Sequence, residues 1–181
     1  MHIEYRIAAE SEKHVAISLI EHVFKHELGY TGIGSDEFDN TAIFFLGYVH
    51  NGEGTNPVAA LRLVPDNPHG LPLDRYFDLS PLRSQSDRLV EVSRLACLKS
   101  HRQHLIGIRG VRFLKATTER LGFTHLVIDS LLRLVPLYER IGFTKFGAPF
   151  FDDSVYKPGE THGIPNAQVM FAERTRLIEA S

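Results

Sequence analysis

Apolar and polar positions along this chain follow two rhythms. Val15, Ile17, Leu19, Ile20, Val23, Phe24 and Leu28 form a stripe at helical spacing, preceded by Ser11 and stopped by Gly29. Residues 3–8 read as a short strand before it. Residues 42–49 and 58–64 are apolar runs separated by the turn-rich stretch 50–57, an antiparallel hairpin signal with a long loop, and 88–98 reads as the next strand. Helical character returns over 107–121, a β run over 124–129 and a short helix over 134–141, after which 144–146 and 168–171 close the sheet. Gly and Pro gather in 52–72 and 147–165, which read as surface loops. The order β, α, a β meander, α, β, α, β, β predicts an α/β fold. Its sheet is mixed and mostly antiparallel, with helices on both faces and one parallel crossover.

The length of 181 residues suits one domain with one sizeable core, spanning 1–181. With 43% hydrophobic and 23% charged residues, the composition excludes a largely disordered or fibrous chain. Lys and Arg number 20 against 22 Asp and Glu, a net charge of −2, so nothing global points to nucleic acid or a membrane surface. The single Cys97 allows neither an intrachain disulfide nor a cysteine cage for zinc, and a reducing, cytoplasmic setting is expected. The longest apolar stretch, 41–49, falls short of the ~20 residues of a membrane span, and the start of the chain, with Glu4 and Glu10, lacks the shape of a signal peptide.

Two charge constellations change this bland picture. Between Glu91 and Glu119 the chain carries Arg94, Lys99, Arg102, Arg109, Arg112 and Lys115 without an intervening acid. A strand end running into a helix N-terminus with such a field suits an anion: a pyrophosphate, a phosphopantetheine arm or an acidic carrier protein. The alternative is a solvated helix face whose acids pack near it in space. The second constellation is dispersed: Asp36, Asp39, Arg62, Glu91 and Arg94 lie in or beside apolar segments, where lone charges are costly. They read either as a salt-bridge network or as a pocket for a zwitterion, its ammonium facing carboxylates and its carboxylate facing Arg. Glu91 and Arg94 are three apart, so a regular strand sends them to opposite faces unless a bulge intervenes. His22 and His26 have the i, i+4 spacing of a metal pair but no zincin glutamate and no third ligand, so no metal site is expected. Ser93 lacks a nucleophile elbow, and Cys97 reads as a buried small residue.

Residues 95–109, L-A-C-L-K-S-H-R-Q-H-L-I-G-I-R, and 137–143, L-Y-E-R-I-G-F, resemble the two signatures of the GNAT acyltransferase superfamily. A closer resemblance lies in V-F-K-H-E-L-G-Y (23–30), S-D-E-F-D (35–39), L-R-L-V-P (61–65), L-P-L-D-R-Y-F (71–77) and E-V-S-R-L-A (91–96). In order, these look like the GNAT branch that holds N-acyl-amino-acid synthases and N-acyl-homoserine lactone synthases. Three departures stand out. Leu105 replaces the first glycine of the R-x-x-G-x-G pyrophosphate loop; Ile20 and Tyr30 stand where the lactone synthases carry arginine and tryptophan; and the chain has no tryptophan. The lean is to the acyl-amino-acid side.

The resemblance implies a GNAT-like N-acyltransferase moving an acyl group, medium or long, from an acyl carrier protein or coenzyme A thioester to the amino group of an amino acid or similar amine. No tightly bound cofactor is implied. Glu91 is then the base that takes the ammonium proton, and Tyr138 the acid that protonates the thiol. Asp36, Asp39, Arg62 and Arg94 line the acceptor and donor sites, while Leu95, Cys97, Arg102, His104, Gly107 and Ile108 hold the donor. The alternatives are an autoinducer synthase using S-adenosylmethionine, an acetyl-CoA-dependent acetyltransferase, and a silent acyl-thioester sensor.

Overall fold

The computed structural model describes residues 3–51, 54–104 and 108–177. Strands β1 (Ile3–Ile7), β2 (Ile43–Asn51), β3 (Gly54–Pro65), β4 (Leu89–Cys97), β5 (His125–Leu131), β6 (Thr144–Lys145) and β7 (Ala167–Glu173) form one sheet in the order β1-β2-β3-β4-β5-β7-β6. Every neighbouring pair is antiparallel except β4 and β5. The helices are α1 (Lys13–Glu21), α2 (Ser80–Arg83), α3 (Ile108–Arg120) and α4 (Val135–Arg140), and α3 supplies the crossover into β5. The mixed sheet expected from the pattern is therefore present, parallel crossover included.

Alternation along the strands sorts side chains onto two buried faces. Phe44, Leu46, Val64, Val127 and Val169 meet the α1 stripe of Ala16, Ile20 and Val23 on one side. Phe45, Leu63, Leu126, Ile128 and Met170 meet residues of α3 and α4, Val111 and Val135 among them, on the other. Ile20 and Val23, nearly inaccessible to solvent, each contribute roughly 1.5–3 kcal/mol by burial. Because both faces are covered, the central strands read as continuous apolar runs, and the charged residues within them stand out.

Five expectations change. Ser11 does not cap α1; a 3-10 turn, Glu10–Glu12, leads into it, and Glu12 reaches back to accept the Ala9 N–H at 2.9 Å. The stripe also outlasts the α-helix, continuing through a π-turn, His22–Glu27, before Gly29 turns the chain at φ +76°. The long loop expected over 50–57 gives way to paired strands reaching Asn51↔Gly54, because this end of the hairpin projects beyond the core, where exposed His50, Thr55 and Asn56 are tolerated in a ladder. Likewise 52–72 is not a surface loop, since most of β3 lies within it. The stretch 147–165 is irregular yet not simply superficial: it folds back so that Asp152 and Val155 are buried. Among the described residues no helix is long and apolar enough to cross a membrane.

Candidate active site

Strand β4 organises the site. It pairs with β5 only at Leu89↔His125, Val90↔Leu126 and Glu91↔Val127. Past that point β4 continues to Cys97 and β5 to Leu131 without pairing, and a cavity of about 280 Å³ occupies the gap. Its walls come from both faces of the sheet: Tyr30, Arg62 and Asp152 on the α1 side, Phe113, Ile141 and Phe143 on the other. The edge of β4 beyond Glu91 thus has β3 on one side and a cavity, rather than a strand, on the other.

The bulge needed to bring Arg94 round is present, at Arg94 itself. Ala60 pairs with Ala96 and Arg62 with Ser93, so Leu61 faces two residues, and Arg94 takes φ +54°. That conformation is unusual for a side chain of this size and marks a bulge held by its contacts. Arg94 reaches Asp36 at 2.5 Å and Asp39 at 3.5 Å. Arg62, only 2% exposed, meets both acids at 2.7 Å and donates through Nε to the Ser93 hydroxyl at 3.1 Å. Asp36 and Asp39 are positioned by a 3-10 turn, Glu37–Asn40, in which Asp36 accepts the Phe38 N–H and Asp39 accepts the Asp36 N–H. Two cations and two carboxylates therefore neutralise one another, and the salt-bridge reading accounts for all four in this structure.

Glu91 stands outside that balance. It is 2% exposed, lines the cavity, and accepts the Leu73 N–H at 2.9 Å. Burial, reinforced by the charge of Asp129, pushes its carboxyl up to about 8, well above the usual glutamate range. Leu73 is itself placed by a 3-10 turn, Pro72–Arg75, which Arg83 of α2 clamps to Asp66 and Asp74 at 2.6–2.8 Å. Tyr138 projects from α4 against Phe143, ring centroids 5.8 Å apart, and its partly buried phenol also lines the cavity. Burial first, then Asp129, pushes that phenol up to about 12.

The donor segment is only partly described. Leu95 lines the cavity. Cys97 is buried, its thiol pushed up to about 11 by burial, and its carbonyl accepts Arg102 Nε at 3.1 Å. Arg102 also pairs with Glu27 at 2.5 Å, and the Lys99 N–H donates to the same carboxylate at 2.9 Å. An acid from the end of the α1 segment thus meets part of the basic field, as the alternative reading of that run allowed. His104 closes a 3-10 turn and Ile108 opens α3, while Gly107 lies outside the described residues, as does Leu105.

Sequence reasoning missed Asp129, Asp152 and Tyr76. Asp129 accompanies the β5 run and lines the cavity, with its carboxyl hydrogen-bonded to that of Asp152. Asp152 accepts the Tyr76 hydroxyl at 3.0 Å and the Ser154 N–H at 2.9 Å. A signal for Asp129 existed, an acid ending the apolar run H-L-V-I, as conspicuous as Glu91 in L-V-E-V.

Residues 16–163 match the family of FeeM, an N-acyl amino acid synthase. Among solved structures, FeeM from uncultured soil microbes superposes with a TM-score of 0.73 at 19% identity, covering 96% of this chain and 92% of its own. An acyl-CoA N-acyltransferase from Pseudomonas aeruginosa gives 0.66 at 17% identity, covering 94% and 99%. The AHL synthase LasI gives 0.62 at 17% identity, covering 96% and 90%. These likenesses establish the GNAT acyltransferase fold. The family match spans most of the chain, and the protein belongs to the FeeM N-acyl amino acid synthase family, as an N-acyltransferase.

Proposed function

We propose that this N-acyltransferase takes a medium or long acyl group from a carrier-protein thioester, with coenzyme A as the competing donor, and forms an amide on the amino group of an amino acid or similar small amine. The observation that carries the reading is a buried, proton-hungry carboxylate, Glu91, at the point where β4 and β5 part. An amine arrives as an ammonium ion and attacks only once neutral, so a base held near the operating pH is required. Glu91 takes that proton. The nitrogen then adds to the thioester carbonyl, and backbone N–H groups on the open edge of β4 around Leu95 to Cys97 receive the developing oxyanion. As the C–S bond breaks, Tyr138 protonates the sulfur.

Support for a sizeable acyl chain comes from the far wall of the cavity, where Phe45, Phe113, Ile141 and Phe143 offer apolar surface. Asp36, Asp39, Arg62 and Arg94 serve as a neutral, rigid wall of the acceptor side. Arg94, at the bulge, is the member of the four nearest to freedom for a substrate carboxylate, since Arg62 is enclosed. The setting proposed is the cytoplasm, as a single domain.

The test is incubation with acyl carrier protein and coenzyme A thioesters of several chain lengths against an amino-acid pool, with free thiol followed and new amides sought by mass. Glu91→Gln is expected to lose about 100-fold or more in turnover at neutral pH, within the usual range for a general base. Full turnover by Glu91→Gln would reject the base assignment, and no amide from any pairing would reject the function.

A further inference from the structure

An amino acid that gives its ammonium proton to Glu91 still carries a carboxylate, and in a poorly solvated cavity that charge calls for a cation of its own. Among the described residues four cations line the cavity: Arg62, Arg75, Arg94 and Arg133. Arg62 and Arg94 are held by Asp36 and Asp39. Arg75 is not. Among the described residues it forms no ion pair, and its guanidinium lies over the Tyr76 ring, 5.6 Å from the centroid. The acids around it have other partners: Asp66 and Asp74 pair with Arg83, while Asp152 and Asp153 accept the Tyr76 hydroxyl.

Position separates the two arginines that remain. Glu91 stands opposite Val64 of β3 and Val127 of β5, so it faces the α1 side of the sheet, where its carboxylate accepts the Leu73 N–H at 2.9 Å. Leu73 and Arg75 belong to one 3-10 turn, Pro72–Arg75, and Leu71 and Leu73 anchor it in the α1-side core. The turn that grips Glu91 therefore also carries Arg75, and the clamp of Arg83 on Asp66 and Asp74 holds it in place. Arg133 lies elsewhere. Its 3-10 turn, Leu132–Leu134, follows the end of β5, and the strand from Val127, opposite Glu91, to Leu131 alone spans roughly 13 Å. The ammonium and carboxylate of an α-amino acid share one carbon, so with the nitrogen at Glu91 the carboxylate falls on the side of Arg75 rather than Arg133.

We propose that Arg75 is a specificity-determining residue that binds the carboxylate of the acceptor, so that the enzyme selects an α-amino acid over a simple amine. This rests on the reading of Glu91 as the base and deepens it by naming the second contact of the acceptor. Arg75 is exposed and yet lines the cavity, which puts it at the mouth, where an entering acceptor meets it. Its planar fork of N–H donors matches both oxygens of a carboxylate. A carboxylate held there turns the ammonium toward Glu91 and fixes the α-carbon between the two.

An internal competition tests this. Wild type and variants receive a carrier-protein thioester with an equimolar mixture of the proteinogenic amino acids and their α-carboxamides, and the two series of products are separated by mass. Each carboxamide keeps the amine and the side chain and lacks only the negative charge. The ratio of acid to carboxamide products therefore reports recognition of that charge, and comparing proteins cancels the different basicities of the two amines. The wild type should favour the acids, and Arg75→Gln should lower the ratio by about 10–100-fold, the worth of a hydrogen bond to a charged group. Arg75→Lys, charged but without the fork, should fall between the two. Arg133→Gln should keep the wild-type ratio. An unchanged ratio in Arg75→Gln would overturn the proposal, even where both series decline together, since a structural defect lowers them in parallel. A wild type indifferent to the carboxylate would overturn it too, as would a fall in Arg133→Gln with none in Arg75→Gln. The failures are distinguishable: a wild type that acylates neither series rejects the function, and full turnover by Glu91→Gln rejects the base while the ratio still reads Arg75.

Discussion

In its proposed role as the base, Glu91 opposes stability in the service of chemistry. Its carboxyl binds protons more tightly folded, at about 8, than in the unfolded chain, near the model-peptide value of about 4.5. The folded state therefore carries the extra proton between those two values. The stabilisation is complete below the unfolded value and is lost as pH rises through about 8. Glu91→Gln, which retains an acceptor for the Leu73 N–H, should match the wild type at pH near 4 and exceed it above pH 8 by a few kcal/mol, at about 1.4 kcal/mol per unit. Urea denaturation at the two pH values reads this directly; an equal difference at both would show that Glu91 is not strained by ionisation. Gained stability with lost turnover is the trade expected of a functional carboxylate. The sequence exposed Glu91 through its apolar neighbours, but that neither Arg62 nor Arg94 forms an ion pair with it follows from Asp36 and Asp39 engaging both arginines.

Among the elements, β4 carries three features that one strand rarely combines: a parallel partner that departs, an antiparallel partner that stays, and a bulge between Ser93 and Ala96. Divergence from β5 opens the cavity, and the bulge turns Arg94 toward Asp36. The alternation rule foresaw the need for a bulge because a three-residue spacing cannot serve one face of a regular strand. The 147–165 stretch is the contrasting case. Its Gly and Pro content made it look like a surface excursion, yet Tyr76 and Phe77 pack on Phe150 with centroids 5.0 Å away, and Asn166 clamps Asp152. Gly32 seats this stretch by close approach, since a Cβ there would meet Ser154 Cα at 2.5 Å and Asp153 O at 3.0 Å. Gly32→Ala should force the two backbones apart, lowering stability by about 1–3 kcal/mol and raising the Michaelis constant for the amine as Asp152 shifts. Thermal unfolding and steady-state kinetics check both; wild-type values in each would mean the contact does not seat the cavity wall.

At the scale of the whole molecule, a net charge of −2 gives no general attraction for an acidic partner, so the proposed docking of a carrier protein has to rest on the local run from Arg94 to Lys115. Glu27 neutralises part of that run through Arg102, and Lys115 donates to the Leu177 carbonyl at 3.2 Å. The Michaelis constant for a carrier-protein thioester should still rise several-fold between about 50 mM and about 0.5 M salt, while that of a small uncharged thioester stays flat. Equal salt response of both donors would argue against carrier docking on this run. The succession of elements, the mixed sheet with helices on both faces and the family were legible in the sequence because apolar periodicity and short motifs are local properties of the chain. The partnerships were not: Glu27 with Arg102, Asp129 with Asp152 and Leu73 with Glu91 join residues from 18 to 75 positions apart. Periodicity tells which way a side chain faces, whereas the pairing of charges and the gap between β4 and β5 depend on where distant segments come to rest against one another.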